Sequence, residues 1–143
     1  MKSFFVGLVG IIEKDERFLI LKRSPTKDFE PNHWEVVTGR FEEEETPDAG
    51  ILREIEEETT LKAEVIMPVT TSFFYRGGKE FPMVSIAFWC KYIKGKVKLD
   101  WEHTEYKWVG LDEVLGEPTL SHFHEIFRKI KKLKKHLPEQ FSL

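Results

Sequence analysis

The stretch GRFEEEETPDAGILREIEEETTL, residues 39–61, decides the reading of this chain. The Thr46 hydroxyl can cap a helix, Pro47 sits in a first turn where a missing N–H costs nothing, and Asp48 meets the positive end of the helix dipole. These signals predict a helix from Pro47 to about Thr59. At 100° per residue, Ile51, Leu52 and Ile55 form one narrow apolar stripe, and Glu54, Glu57 and Glu58 share its flank. Glu56 falls on the opposite flank and serves as an internal control.

Carboxylates about 5 Å apart repel by roughly 3 kcal/mol per pair at an effective dielectric near 20, so gathering three of them requires compensation. A hard divalent cation with oxygen ligands is one compensation, and Arg53, paired with Glu45 or Glu57, is another. The competing reading is a solvated acidic face, which composition alone favours.

The spacing carries more. Gly39, five residues, Glu45, seven residues, then Arg53-Glu54-Ile55-Glu56-Glu57-Glu58 and Leu61 resembles the signature box of the Nudix hydrolase family. The resemblance implies an α/β fold, the Nudix α/β/α sandwich with a mixed β-sheet between helices. It also implies that Glu54, Glu57, Glu58 and the Gly39 carbonyl hold Mg²⁺, with Mn²⁺ as an alternative, and that Glu54, Arg53 and Glu102 serve catalysis. One position departs from the pattern. Thr60 stands where the family has glycine, and a β-branched residue tolerates a left-handed cap poorly, so the helix is expected to end in some other turn.

Around this box, 143 residues with 41% hydrophobic and 33% charged residues describe one domain over residues 1–143, with an ordinary globular balance and no run long enough to span a membrane. The apolar N-terminal run reads as a buried strand rather than a leader, because it continues into further strand material at residues 17–22. A lone cysteine, Cys90, excludes an intramolecular disulfide and fits a reducing, cytoplasmic setting.

Residues 4–12 and 18–21 read as the first two strands, joined by a polar turn. Lys22 and Arg23 close the second strand, either facing a phosphate or as solvated charges. Residues 34–38 form a short strand delivering Gly39, and Trp34 is a candidate stacking partner for a flat ring. Residues 63–75 and 83–92 flank the hairpin signal Arg76-Gly77-Gly78-Lys79, and residues 97–99 and 104–109 are read as further strands. A short helix over residues 111–115 and an amphipathic helix over residues 119–137 complete the chain. The last helix is strongly basic, and its lysines are read as solvated because the rest of the chain is acidic; no nucleic-acid partner is expected. His122 and His124, two apart on a helix, point in different directions and make a poor metal pair.

Glu102 lies where many Nudix enzymes bring a further carboxylate over the helix, with Glu105 as its rival and a solvated acid as the third reading. Residues 34–39 and the Glu-His-x-x-Tyr-Lys-Trp run at residues 102–108 resemble the dihydroneopterin triphosphate and nucleoside triphosphate pyrophosphohydrolases. The implied activity is Mg²⁺-dependent hydrolysis of a nucleotide or pterin phosphate substrate to monophosphate and pyrophosphate. A diadenosine polyphosphate or ADP-ribose hydrolase and a catalytically silent nucleotide-binding domain are the alternatives.

Overall fold

The computed structural model describes residues 3–137. Strand β1 (Phe5–Lys14) turns into β2 (Arg17–Arg23) through Asp15 and Glu16, both left-handed at φ 50° and 62°, the conformation a two-residue hairpin of matching twist demands. The stretch read as one strand at residues 34–38 is two: β3 (Trp34–Glu35) pairs with β2, and β4 (Val37–Arg40) pairs antiparallel with β1. The chain changes neighbour at Val36, which is fully buried.

Helix α1 (Pro47–Thr59) has the expected bounds, with Thr46 Oγ1 accepting from Ala49 N at 3.2 Å. Its end corrects the sequence reading. Thr60 adopts the left-handed cap at φ 64°, ψ 6°, its N–H donating to the Glu56 carbonyl, and its hydroxyl donates to the Lys96 carbonyl at 2.7 Å. That bond offsets the steric cost of a β-branched residue in this conformation.

The long hairpin of β5 (Lys62–Tyr75) and β6 (Pro82–Lys94) is followed by residues 95–100, which are not a strand as expected. Instead Lys98 N donates to the Thr59 carbonyl at 2.9 Å, so this segment covers the end of α1 with Val97 and Leu99 packed on the core. Strand β7 (His103–Val109) pairs with β2, and helix α2 (Leu111–Leu115) follows. The predicted helix over residues 119–137 begins as a 3₁₀ turn (Pro118–Phe123), capped by Glu117, before helix α3 (His124–His136). A spacing of three between Leu120 and Phe123 suits both helix types, which is why the pattern misses the change.

Among the described residues the strands form one seven-stranded mixed sheet, in which β1 runs parallel to β6 and antiparallel to β2 and β4. Alternation along the strands sorts two cores. Leu8, Ile12, Leu19, Leu21, Phe88 and Cys90 pack with Ile51 and Ile55 of α1, whereas Val9, Ile11, Phe18, Ile20 and Trp89 pack with Phe127 and Ile130 of α3. The lysines of α3 are not all solvated: Lys134 pairs with buried Glu13, which also accepts from Trp89 Nε1, and Lys129 donates to Thr70 Oγ1. Burial raises the Glu13 carboxyl above the ordinary range, against the opposing pull of Lys134 and Trp89. No helix among the described residues is long and apolar enough to cross a membrane.

Candidate active site

The acidic flank of α1 faces the end of β4. A Cβ placed on Gly39 would lie 2.1 Å from Glu54 Cδ, so only glycine lets this backbone approach the carboxylate.

Arg53 organises the acids. Its Nε and Nη2 donate to the two oxygens of Glu45 at 3.0 and 2.8 Å, Nη1 donates to Glu54 at 2.9 Å and Glu57 at 3.3 Å, and Nη2 also reaches the Arg40 carbonyl at 3.2 Å. The paired hydrogen bonds from Arg53 hold Glu45 below the usual carboxylate range, and the arginine in turn is held charged. Burial raises Glu54 in spite of the same arginine.

Glu58 lies deepest, 6% exposed. Its Oε2 has no hydrogen-bond partner, and burial together with Glu54, Glu35 and Asp100 pushes its carboxyl up to about 10. A buried carboxylate edged by three other acids and lacking a partner for one oxygen is poorly placed unless a cation joins it. Among the described residues no group of three or more His, Cys, Asp or Glu side chains is arranged to hold a metal ion. What the side chains offer an ion here is a pair of neighbouring carboxylates, Glu54 and Glu58, an open set that fits a hard ion keeping waters and taking substrate oxygens.

Behind Glu58 lies a buried network that the sequence reading did not contain. Glu35 Oε1 accepts from Arg23 Nη1 at 2.8 Å, Glu35 Oε2 lies 2.6 Å from His103 Nε2, and His103 Nδ1 lies 2.8 Å from Asp100 Oδ1. His103 Nε2 is also 4.0 Å from Glu58 Oε1. Burial pulls the His103 pKa down, but its bonds to Glu35 and Asp100 outweigh this and leave it raised. The one local signal was Glu35, a charged residue between the apolar Trp34 and Val36, whereas His103, between Glu102 and Thr104, carries none.

Of these groups, Arg23, Glu35, Asp100 and Glu58 line one cavity of about 1080 Å³. Gly39, Glu54, Glu57, Glu58, Trp34, Arg23 and Glu102 all border it. The two basic residues at the end of β2 are held differently. Arg23 does not present a free cation to a phosphate, because its guanidinium is committed to Glu35 and to the Phe29 carbonyl at 2.9 Å. Lys22, its neighbour on the opposite side of the strand, is not among the lining residues and pairs with Glu105 at 3.1 Å. That pairing also separates the two rival acids: Glu105 is turned away, whereas Glu102 borders the cavity and pairs with Lys27 at 3.1 Å. Glu56, the control position, is exposed and paired with Lys62 outside the cavity. His122 and His124 are apart as expected, bonded to Glu30 and to the Glu117 carbonyl.

Comparison with known proteins bears on the family and the fold. The family model described as NUDIX domain matches residues 3–129. A MutT-like protein of Streptomyces ambofaciens is 31% identical over 115 residues, covering 76% of this chain and 66% of its own length, so the chain spans about two thirds of that relative. The crystal structure of the MutT protein from Methanosarcina mazei Go1 superposes with a TM-score of 0.81 at 28% identity, over 94% of this chain and 97% of its own. The NUDIX domain of Shewanella oneidensis NrtR, solved with ADP ribose, shares the fold with a TM-score of 0.74 at 16% identity, over 92% and 89% of the two chains.

Proposed function

The chain belongs to the Nudix hydrolase family, and from that premise we propose that it is a single-domain, divalent-cation-dependent pyrophosphohydrolase that converts a nucleoside or pterin triphosphate to the monophosphate and pyrophosphate. The observation that carries the reading is Glu58, buried with an unpartnered oxygen between Glu54 and the Glu35–His103 pair at the wall of a cavity large enough for a nucleotide.

Glu54, Glu57, Glu58 and the Gly39 carbonyl would hold Mg²⁺ or Mn²⁺. Such an ion, when bound, neutralises a diphosphate and acidifies a water for in-line attack on phosphorus. The protein's own residues do the rest. Arg53 fixes Glu45, Glu54 and Glu57 so that their carboxylates stay gathered on one side of the helix. Glu54 or Glu102, both bordering the cavity, takes the proton of the attacking water. Trp34 offers the flat ring of the substrate an apolar face, flanked by Lys107 Nζ at 4.9 Å from its ring centroid. Buried Cys90, its thiol pushed up to about 12 by burial, takes no part and is compatible with a cytoplasmic enzyme.

A panel of nucleoside triphosphates, dihydroneopterin triphosphate, a diadenosine polyphosphate and ADP-ribose, run with Mg²⁺ in ¹⁸O-labelled water, tests the proposal. The expected result is a labelled monophosphate and unlabelled pyrophosphate from a triphosphate. Turnover confined to ADP-ribose or to diadenosine polyphosphate would replace the substrate class, and turnover of nothing in the panel would favour a nucleotide-binding domain without catalysis. ADP-ribose is included because the NrtR domain was solved with it.

A further inference from the structure

Strand β5 is the outer strand of the sheet, beyond β6, and its last five residues, 71–75, are all exposed. A strand on the surface normally buries every second side chain, so five exposed residues in succession mean that both faces and one edge are open. Three of them are aromatic, Phe73 (53% exposed), Phe74 (43%) and Tyr75 (50%), and Phe4 and Phe81 stand nearby at 55% and 44%. Phe73 joins its neighbours in one patch, 6.2 Å from the Phe4 ring and 5.2 Å from that of Tyr75.

The two halves of the strand are protected differently. The first half carries Lys62, Glu64, Pro68 and three register irregularities, the usual devices against edge pairing. Residues 70–75, Thr-Thr-Ser-Phe-Phe-Tyr, have no charge, no proline and regular pairing with β6. Alternate residues there turn their N–H and C=O outward, and among the described residues no other strand pairs with that side.

We propose that this edge pairs with the same edge of a second copy, antiparallel about a two-fold axis, giving a homodimer with one continuous sheet. A second copy fits because an uncharged segment laid against itself meets no like charge. The antiparallel arrangement also sets the two Arg76 side chains at opposite ends of the ladder. The three half-exposed aromatics on the edge strand itself, about 200 Å² each, offer about 300 Å² per copy, and the paired backbone with its flanking residues supplies the remainder of the roughly 1,000 Å² expected of a specific interface. Phe73, Phe74 and Tyr75 also border the cavity, which puts the partner copy at its mouth. The proposal does not depend on the chemistry of the site.

Light scattering on the full-length chain during size-exclusion chromatography, from 5 to 200 µM, is expected to give twice the chain mass at the upper end. The double substitution Phe73→Arg and Tyr75→Arg should give a monomer with an unchanged circular dichroism spectrum, whereas Ile93→Arg, exposed at the far end of β6, should leave the dimer intact. Hydrogen exchange supplies a reading that needs no variant: amides of residues 70–75 should exchange more slowly at high than at low protein concentration. A wild-type monomer at 200 µM, an open series of larger species, or concentration-independent exchange at residues 70–75 would overturn the proposal.

Discussion

Replacing Glu58 by glutamine should make the cation-free protein more stable at neutral pH while removing most of its activity. The Glu58 carboxyl is raised from 4.5 to about 10 by burial and by Glu54, Glu35 and Asp100. In the unfolded chain it loses its proton near 4.5, whereas the folded protein retains that proton until about 10. Folding therefore takes up a proton throughout this window, and stability falls as pH rises through it, the reverse of an acid held down by an ion pair. One proton corresponds to about 1.4 kcal/mol per pH unit, so about 3 kcal/mol is lost between pH 4.5 and 7. Glutamine does not titrate. The variant should match wild type near pH 4.5 and lead it by up to about 3 kcal/mol at pH 7, roughly 10 °C in melting temperature for a domain of this size. Urea unfolding of both proteins in EDTA, from pH 4.5 to 8, measures the difference, in which the groups they share largely cancel. With Mg²⁺ in excess the lead should shrink, because an ion that binds only the folded wild type stabilises it. A difference that does not change with pH, or a variant less stable than wild type in EDTA at pH 7, would refute the view that Glu58 is buried at a cost to the empty site.

Glu57→Gln should lower turnover by about 10²-fold or more while Glu56→Gln, paired with Lys62 outside the cavity, stays near wild type; equal losses in a steady-state assay would mean that acidity in general has been taken for a site. Gly39→Ala should reduce kcat by about 10²-fold with little change in melting temperature, since the added methyl displaces the flexible end of Glu54 rather than backbone, and retained activity would show that the position of Glu54 is unimportant. At Thr60 a left-handed backbone and a hydroxyl bond oppose each other, so Thr60→Gly should lie within about 0.5 kcal/mol of wild type while Thr60→Val, which keeps the strain and loses the bond, falls by roughly 1 kcal/mol. Equal urea midpoints for the two variants would remove strain from the account.

The helix and its acids were legible because their signals are local. Thr46 and Pro47 mark the start within two residues, and the Ile51, Leu52 and Ile55 stripe fixes which flank carries Glu54, Glu57 and Glu58. Residues 97–99 were misread because alternating apolar residues predict a surface to cover, not the partner of the backbone, and here the partner is the end of a helix. Thr60 was misjudged because the hydroxyl's acceptor, Lys96, lies 36 residues away. The same limit hid the network behind Glu58. Glu35 and His103 are 68 residues apart, and neither belongs to a periodic pattern that would bring them together.

The parallel pairing of β1 with β6 sets the order in which a nascent chain can mature. The first strand of the chain finds β2 and β4 within its first 40 residues, but its parallel neighbour begins only at Pro82. At roughly 5–20 residues per second of synthesis, one side of β1 waits several seconds for its partner. Such a wait exposes an uncharged apolar run to other nascent chains and to chaperones. Gly7 and Gly10, which in the finished fold make room for Met83 and Ile51, also interrupt that run while it waits, lowering its tendency to pair with the wrong strand.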